Sequence, residues 1–201
     1  MLGWRFARRT KLTEVYFVRH AESDYRSIDE KSRPLTKKGE ADLSKLVTLF
    51  QHVDITSIYS SPYKRAIQTV MPVANSKSLD IIIREDFKER ISRSEWIDNE
   101  MNLGTFVKRM WQNPNVGVDG GESIKEVQER NIKELKNVLR DNGNQKVIIG
   151  THGTALASII HYYKNDFTSN DFMKFISKMP YVVKMIANND EFITMEEIEI
   201  E

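Results

Sequence analysis

Two histidines in this chain each close a short apolar run. His20 follows Glu14-Val-Tyr-Phe-Val18 and Arg19, while His152 follows Lys146-Val-Ile-Ile-Gly150 and Thr151. A further cation, Arg65, stands three residues after Pro62, and a carboxylate, Glu89, lies in Phe87-Lys-Glu-Arg90. These residue types suit phosphoryl transfer. A transferring phosphoryl group spreads negative charge over three equatorial oxygens and needs an in-line nucleophile. Arginine meets the first need, because its planar fork donates parallel bonds and stays charged, and Arg19 and Arg65 are the candidates. Neutral imidazole meets the second: one nitrogen attacks while the other donates to the backbone and fixes the tautomer, a role open to His20. His152 can donate to the transferring oxygens. A carboxylic acid must protonate the leaving oxygen, and Glu89 is placed for that task.

Each of these residues also has an ordinary reading. A histidine at a strand end is commonly a partly buried structural residue, and Glu89 among Glu85, Asp86, Lys88 and Arg90 could be a solvated charge. Arg65 in a first helical turn opposes the helix dipole, which favours an anion-binding role. Two histidines and a carboxylate could also hold a metal, but no His-x-His or His-x3-His spacing supports one, so no metal is assigned.

The elements that must position these side chains follow from pattern. Residues 14–18 and 146–150 are β-rich and apolar enough for buried strands, and 55–60 and 79–83 supply two more. Thr36 caps a helix whose apolar face holds Ala41, Leu43, Leu46, Val47 and Phe50. Ser61-Pro62 reads as a second helix start, with Ser as cap and Pro at the first helical position. Ile124, Val127, Leu135 and Val138 mark a long amphipathic helix stopped by Gly143, and an apolar helix covers 155–163. Residues 181–187 and 191–200 flank Asn188-Asn-Asp190 as a hairpin. Alternating strands and helices predict an α/β fold with a mostly parallel sheet and an antiparallel edge. Ligands bind beyond the carboxyl ends of such strands, so His20, His152 and Arg65 can converge in one crevice.

The totals set further bounds. At 201 residues, the chain is read as one domain over 1–201, with 91–120 as a small helical cap insertion. Lys and Arg number 30 against 29 Asp and Glu, so bulk charge supports neither a nucleic-acid nor a membrane partner. There is no cysteine, which removes disulfides and thiolate catalysis and fits a cytoplasmic location. No apolar run reaches the roughly 18–20 residues a membrane span needs. Residues 1–13 carry Arg5, Arg8, Arg9 and Lys11 without a following apolar core, a basic arm rather than a secretory signal.

Six stretches occur in an order that resembles the histidine phosphatase superfamily, which includes cofactor-dependent phosphoglycerate mutase. They are Val18-Arg-His-Ala-Glu-Ser23, Pro34-Leu-Thr-Lys-Lys-Gly39, Tyr59-Ser-Ser-Pro-Tyr-Lys-Arg-Ala-Ile-Gln-Thr69, Phe87-Lys-Glu89, Gly120-Gly-Glu-Ser123 and Gly150-Thr-His-Gly153. The resemblance implies a three-layer α/β/α sandwich and a phosphatase that hydrolyses a small phosphate monoester with neither metal nor organic cofactor. It implies His20 as the nucleophile that becomes phosphohistidine, with Arg19, Arg65 and His152 around the phosphate. Glu89 is then the proton donor and Ser23 a further phosphate contact. Three features depart from the family pattern. Ala21 replaces its usual glycine, Arg26 replaces an asparagine, and Ser92-Arg-Ser-Glu-Trp96 replaces a Gly-Trp-Glu-Gly-like stretch after the acid. Arg26 either adds charge to the pocket or is solvated. Other readings are a mutase-type phosphotransferase, for which the insertion is short, a non-catalytic phospho-ligand binder, and an enzyme acting on phosphoproteins. Trp96, Met101, Phe106, Met110 and Trp111 read as cap or core packing rather than substrate contacts. Substrate identity and oligomeric state are left open.

Overall fold

The computed structural model describes residues 11–92, 103–118 and 120–200. Most of the basic arm, together with Trp96 and Met101, lies outside them. Six strands form one sheet in the order β3-β2-β4-β1-β5-β6. They are β1 (Leu12–Arg19), β2 (Ser57–Ser60), β3 (Ile81–Ile83), β4 (Lys146–Thr151), β5 (Tyr181–Asn188) and β6 (Glu191–Ile198). The first four run parallel, and β5 and β6 add an antiparallel edge next to β1. The helices are α1 (Lys37–Ala41), α2 (Leu43–Phe50), α3 (Lys64–Lys77), α4 (Leu103–Gln112), α5 (Ile124–Asp141), α6 (Gly153–Tyr163) and α7 (Ser169–Ile176).

Alternation along the strands builds a core on each face of the sheet. Val15 and Phe17 of β1 pack with Val147, Ile149 and the apolar sides of α4 to α7. Tyr16 and Val18 face the other way, with Ile148, Ile58 and the inward residues of α2 and α3. A period-two strand with apolar residues at every position requires cover on both faces, and the result is the α/β/α sandwich. Phe106, Val107 and Met110 of α4 are buried in the first core and Trp111 packs against it, so these residues serve packing.

Several local expectations need correction. The helix expected from Thr36 is two helices broken at Asp42, and Ala41 is exposed. Thr36 does cap, accepting from Gly39 N at 3.0 Å. Helix α3 begins at Lys64 rather than at Pro62, with Tyr63 in the cap position. Ser61 lies two residues ahead of that cap position, its N–H continues the sheet to Gly150 O at 2.9 Å, and its hydroxyl meets Tyr63 N and His152 instead of the first helical turn. Helix α5 stops before Gly143: the Asn142 side chain folds back to Val138 O at 2.7 Å, and Asn144 takes the left-handed turn at φ 65°. The third strand is shorter than expected, and α7 has no counterpart in the sequence reading.

Candidate active site

β1 and β4 are adjacent and parallel, with Arg19 opposite Thr151. That register sets the next residue of each strand side by side at the carboxyl end of the sheet. His20 N donates to Thr151 O at 3.1 Å, and the imidazoles of His20 and His152 lie 5.3 Å apart between centroids. The separation fits two groups acting on one phosphoryl centre.

His20 Nδ1 lies 2.7 Å from Ala21 O. A carbonyl oxygen only accepts, so Nδ1 carries the proton and Nε2 keeps its lone pair. Burial, reinforced by the charges of Arg65 and Arg19, holds the His20 pKa well below 6.5. The ring is therefore neutral at physiological pH. His152 is held down in the same way, by burial first and then by Arg65. Ser61 Oγ accepts from Tyr63 N at 3.2 Å and lies 2.7 Å from His152 Nε2, so its O–H can donate to Nε2 and leave the proton of the neutral ring on Nδ1. The Tyr63 ring stands edge-on to His152 at 5.1 Å, and the Arg65 guanidinium sits 5.1 Å from the centre of the same ring.

Both arginines of the site are buried and partly engaged. Arg19 Nη1 donates to the carbonyls of Phe175, Ile176 and Lys178 at 3.1, 2.6 and 2.9 Å. Carbonyls at the end of a helix have no partner within it, so α7 and the residues after it form a seat for the guanidinium. Burial lowers the Arg19 pKa to about 10, which leaves it charged near neutrality. Arg65 Nη1 donates to Glu30 O at 2.6 Å, and Nη2 to Glu30 Oε2 at 2.9 Å.

Glu89 follows a short helical turn at Glu85–Phe87. Its Oε1 accepts from Arg90 N at 2.8 Å and Ala155 N at 3.2 Å, and its Oε2 from Thr154 N at 3.1 Å. The carboxylate therefore rests on the positive N-terminal end of α6, directly after His152. Gly153 lies close against this group: a Cβ would meet Ile176 Cδ1 at 2.5 Å, forcing that side chain to shift, and would stand 3.5 Å from Arg19 Nε and 3.7 Å from Glu89 Oε2. Arg130 on α5 fixes the backbone of this region. It donates to the carbonyls of Asp86, Lys88 and Glu89 and forms a two-pronged pair with Glu122, so all five of its N–H groups are used.

Buried polar atoms without partners are uncommon in folded proteins. Among the described residues the atoms without a hydrogen-bond partner include Trp111 Nε1 and Asn131 Oδ1, on α4 and α5, and also four others: Arg19 Nε, Ser23 Oγ, Arg65 Nε and His152 Nδ1. All four belong to residues that the sequence singled out, and together they suit the several oxygens of a tetrahedral anion. The flanking guanidiniums disfavour a cation. Among the described residues, no three His, Cys, Asp or Glu side chains gather as a metal would require.

Arg26, by contrast, points to solvent and pairs with Asp24 at 2.7 Å. Sequence reasoning missed Ser61, read only as a helix cap, and Tyr63, Glu30, Arg33 and Arg130. Thr69 was also missed, although its Oγ1 accepts from Ala21 N at 3.0 Å and donates to Arg65 O at 2.7 Å. The repeated serine before Pro62 was a usable signal for one of them, whereas Glu122 stands ahead of the helix that carries Arg130 and gave no same-face spacing to read.

The chain is similar to known proteins over most of its length. The profile described as histidine phosphatase superfamily (branch 1) matches residues 15–192. The chain is 28% identical to phosphoserine phosphatase 1 of Hydrogenobacter thermophilus over 151 residues, 70% of this chain and 71% of that protein. It is 30% identical to the uncharacterized phosphatase PhoE of Bacillus subtilis over 157 residues, covering 74% and 76%. Among solved structures, phosphoserine phosphatase of Entamoeba histolytica, in complex with 3-phosphoglyceric acid, superposes with a TM-score of 0.74 at 17% identity, covering 94% of this chain and 98% of that one.

Proposed function

The chain belongs to the histidine phosphatase superfamily, and on that basis we propose that it hydrolyses a small phosphate monoester through a phosphohistidine on His20. The observation that carries the reading is the His20 Nδ1 bond to Ala21 O, which leaves Nε2 free beside a second neutral imidazole and two guanidiniums. In the first step Nε2 attacks phosphorus in line, the ester P–O bond breaks, and the leaving oxygen takes the proton of the Glu89 carboxyl group. Arg19 Nε, Arg65 Nε, Ser23 Oγ and His152 Nδ1 balance the charge on the phosphoryl oxygens. The N–H groups of Arg90, Thr154 and Ala155 stabilise the carboxylate that results. In the second step Glu89 takes a proton from water, the oxygen attacks phosphorus, the P–N bond breaks, and inorganic phosphate leaves with His20 neutral again.

The relatives named as phosphatases favour transfer to water over transfer to a second substrate hydroxyl. The absence of cysteine supports a reducing, cytoplasmic setting. No helix among the described residues is long and apolar enough to cross a membrane.

The test is turnover of p-nitrophenyl phosphate in EDTA, combined with trapping of the phosphorylated protein. Turnover is expected to proceed, with a trapped label that is labile in acid and stable in base. His20→Ala is expected to lose both the label and at least about a thousandfold in kcat. A label that survives in His20→Ala removes His20 as the nucleophile, and absence of turnover leaves only a phospho-ligand binder. A panel of phosphorylated metabolites, scored for free phosphate against transfer to a second hydroxyl, then separates a phosphatase from a mutase.

A further inference from the structure

Arg65 already holds an anion, and that anion belongs to the protein. The Glu30 carboxylate bonds Arg65 Nη2 through Oε2, and its other oxygen pairs with Arg33. The two partners differ sharply in freedom. The Arg65 side chain is 2% exposed and that of Glu30 is 50% exposed. Arg65 is thus fixed in the site, while Glu30 reaches it from the surface loop that follows Ser23. A second link is independent of the carboxylate, since Arg65 Nη1 bonds the Glu30 backbone carbonyl at 2.6 Å. The loop therefore stays seated when the side chain leaves.

We infer that Glu30 is a tethered competitor for the phosphoryl site: its carboxylate holds Arg65 Nη2 in the free protein and must give up that donor when phosphate takes the Nε–Nη2 edge. The inference rests on the reading of Arg65 as a phosphate-binding residue. A carboxylate presents two oxygens and one negative charge to a guanidinium, as one edge of a phosphate does. Being tethered, it competes at a high effective concentration. It leaves Arg19 Nε, Arg65 Nε, Ser23 Oγ and His152 Nδ1 unbonded. A phosphate that can engage those atoms as well gains what Glu30 cannot. Arg33, buried and stacked 4.8 Å from the Tyr25 ring centre, stays behind as a partner for the displaced carboxylate. The consequence is weaker retention of every ligand that needs the Arg65 fork, including the product phosphate. Simple competition lowers the affinity of all such ligands by one common factor.

The experiment is calorimetric titration of the full chain with inorganic phosphate and, separately, with vanadate, comparing wild type with Glu30→Gln. The amide keeps the size and the backbone contact and removes the charge. Glu30→Gln is expected to bind both ligands about five- to tenfold more tightly, by the same factor for each, as suits loss of one charge-assisted pair with a half-exposed partner. A purely structural role for Glu30 moves affinity the other way. Asp29→Asn removes a neighbouring charge of the same loop that does not touch Arg65 and is expected to change either affinity less than twofold. Equal or weaker binding by Glu30→Gln overturns the inference, as does an equal gain from Asp29→Asn, and the phosphate reading of Arg65 survives both results. If neither wild type nor Glu30→Gln binds phosphate or vanadate, that reading itself falls and the inference with it.

Discussion

Replacing Arg130 with methionine separates the stability of this fold from the placement of Glu89. Arg130 Nε and Nη2 pair with the two oxygens of Glu122, each at 2.8 Å. The remaining donors meet Asp86 O at 2.7 Å, Lys88 O at 2.9 Å and Glu89 O at 3.1 Å. Both side chains of the ion pair are largely shielded, at 12% and 18% exposure. Arg130 also holds the Glu122 carboxyl below its usual pKa, against a burial penalty that acts the other way. Removing one member of a buried pair costs about 3–5 kcal/mol. Residual solvent access puts Arg130→Met below that range, at about 2–3 kcal/mol, or roughly 5–10 °C in Tm for a chain of this size. The three carbonyls around Glu89 lose their donor at the same time, and an acid misplaced by about 1 Å lowers kcat on the order of a hundredfold.

Combining Arg130→Met with Glu122→Met removes the stranded carboxylate and is expected to recover roughly half of the lost stability, while kcat stays low because the carbonyls remain without a donor. Denaturant unfolding and p-nitrophenyl phosphate turnover, run on both variants, make the comparison. Wild-type stability in Arg130→Met would refute the ion-pair estimate. Full recovery of kcat in the double variant would refute the claim that Arg130 positions Glu89.

Two further outcomes follow from the imidazoles. Ser61→Ala deprives His152 Nε2 of its partner and is expected to lower kcat about tenfold with about 1–2 kcal/mol of stability lost; a variant with wild-type kcat shows that Ser61 does not orient the ring. Stability is also expected to depend on pH in a defined window. His20 and His152 have folded pKa values well below their unfolded 6.5, so the unfolded chain binds protons that the folded chain refuses. Their contribution is complete above pH 6.5 and falls as pH drops below it, by about 1.4 kcal/mol per pH unit for each ring. Denaturant midpoints measured from pH 8 to pH 5 check this, and an unchanged midpoint below 6.5 means that the rings are not held neutral.

The framework of the site was legible because it depends on strong, local signals. The unbroken apolar runs ending at Arg19-His20 and Thr151-His152 fixed two buried strands, and parallel pairing then had to bring their ends together. Alternation could not say which strands were neighbours, yet any central position for both left the histidines at the same edge. Helix α7 was missed although Thr168 and Asp171 form a capping box ahead of Phe172 and Phe175. The signal was present but used Asp where Glu or Gln is the usual third residue. Ser61 was misassigned because a serine before proline satisfies the rule for a helix start, whereas the helix opens only at Lys64 and the Ser61 hydroxyl faces Tyr63 N and His152. Glu30 and Arg130 left no trace of their partners in the sequence. A loop rich in charges reads as solvated, and ion pairs between distant segments are set by tertiary packing alone.

The position of β1 in the middle of the sheet also has a cost during synthesis. Its two neighbours, β4 and β5, come from the far part of the chain, and the seat of Arg19 at Phe175 lies 156 residues downstream. As the polypeptide leaves the ribosome, the strand that carries His20 emerges before both of its neighbours and keeps both edges open until β4 and β5 have followed. Such long-range pairing slows folding and leaves an apolar strand available to other nascent chains. Catalytic competence is therefore acquired late, and a ribosome that stalls before β5 releases a product prone to aggregate rather than a partly active one.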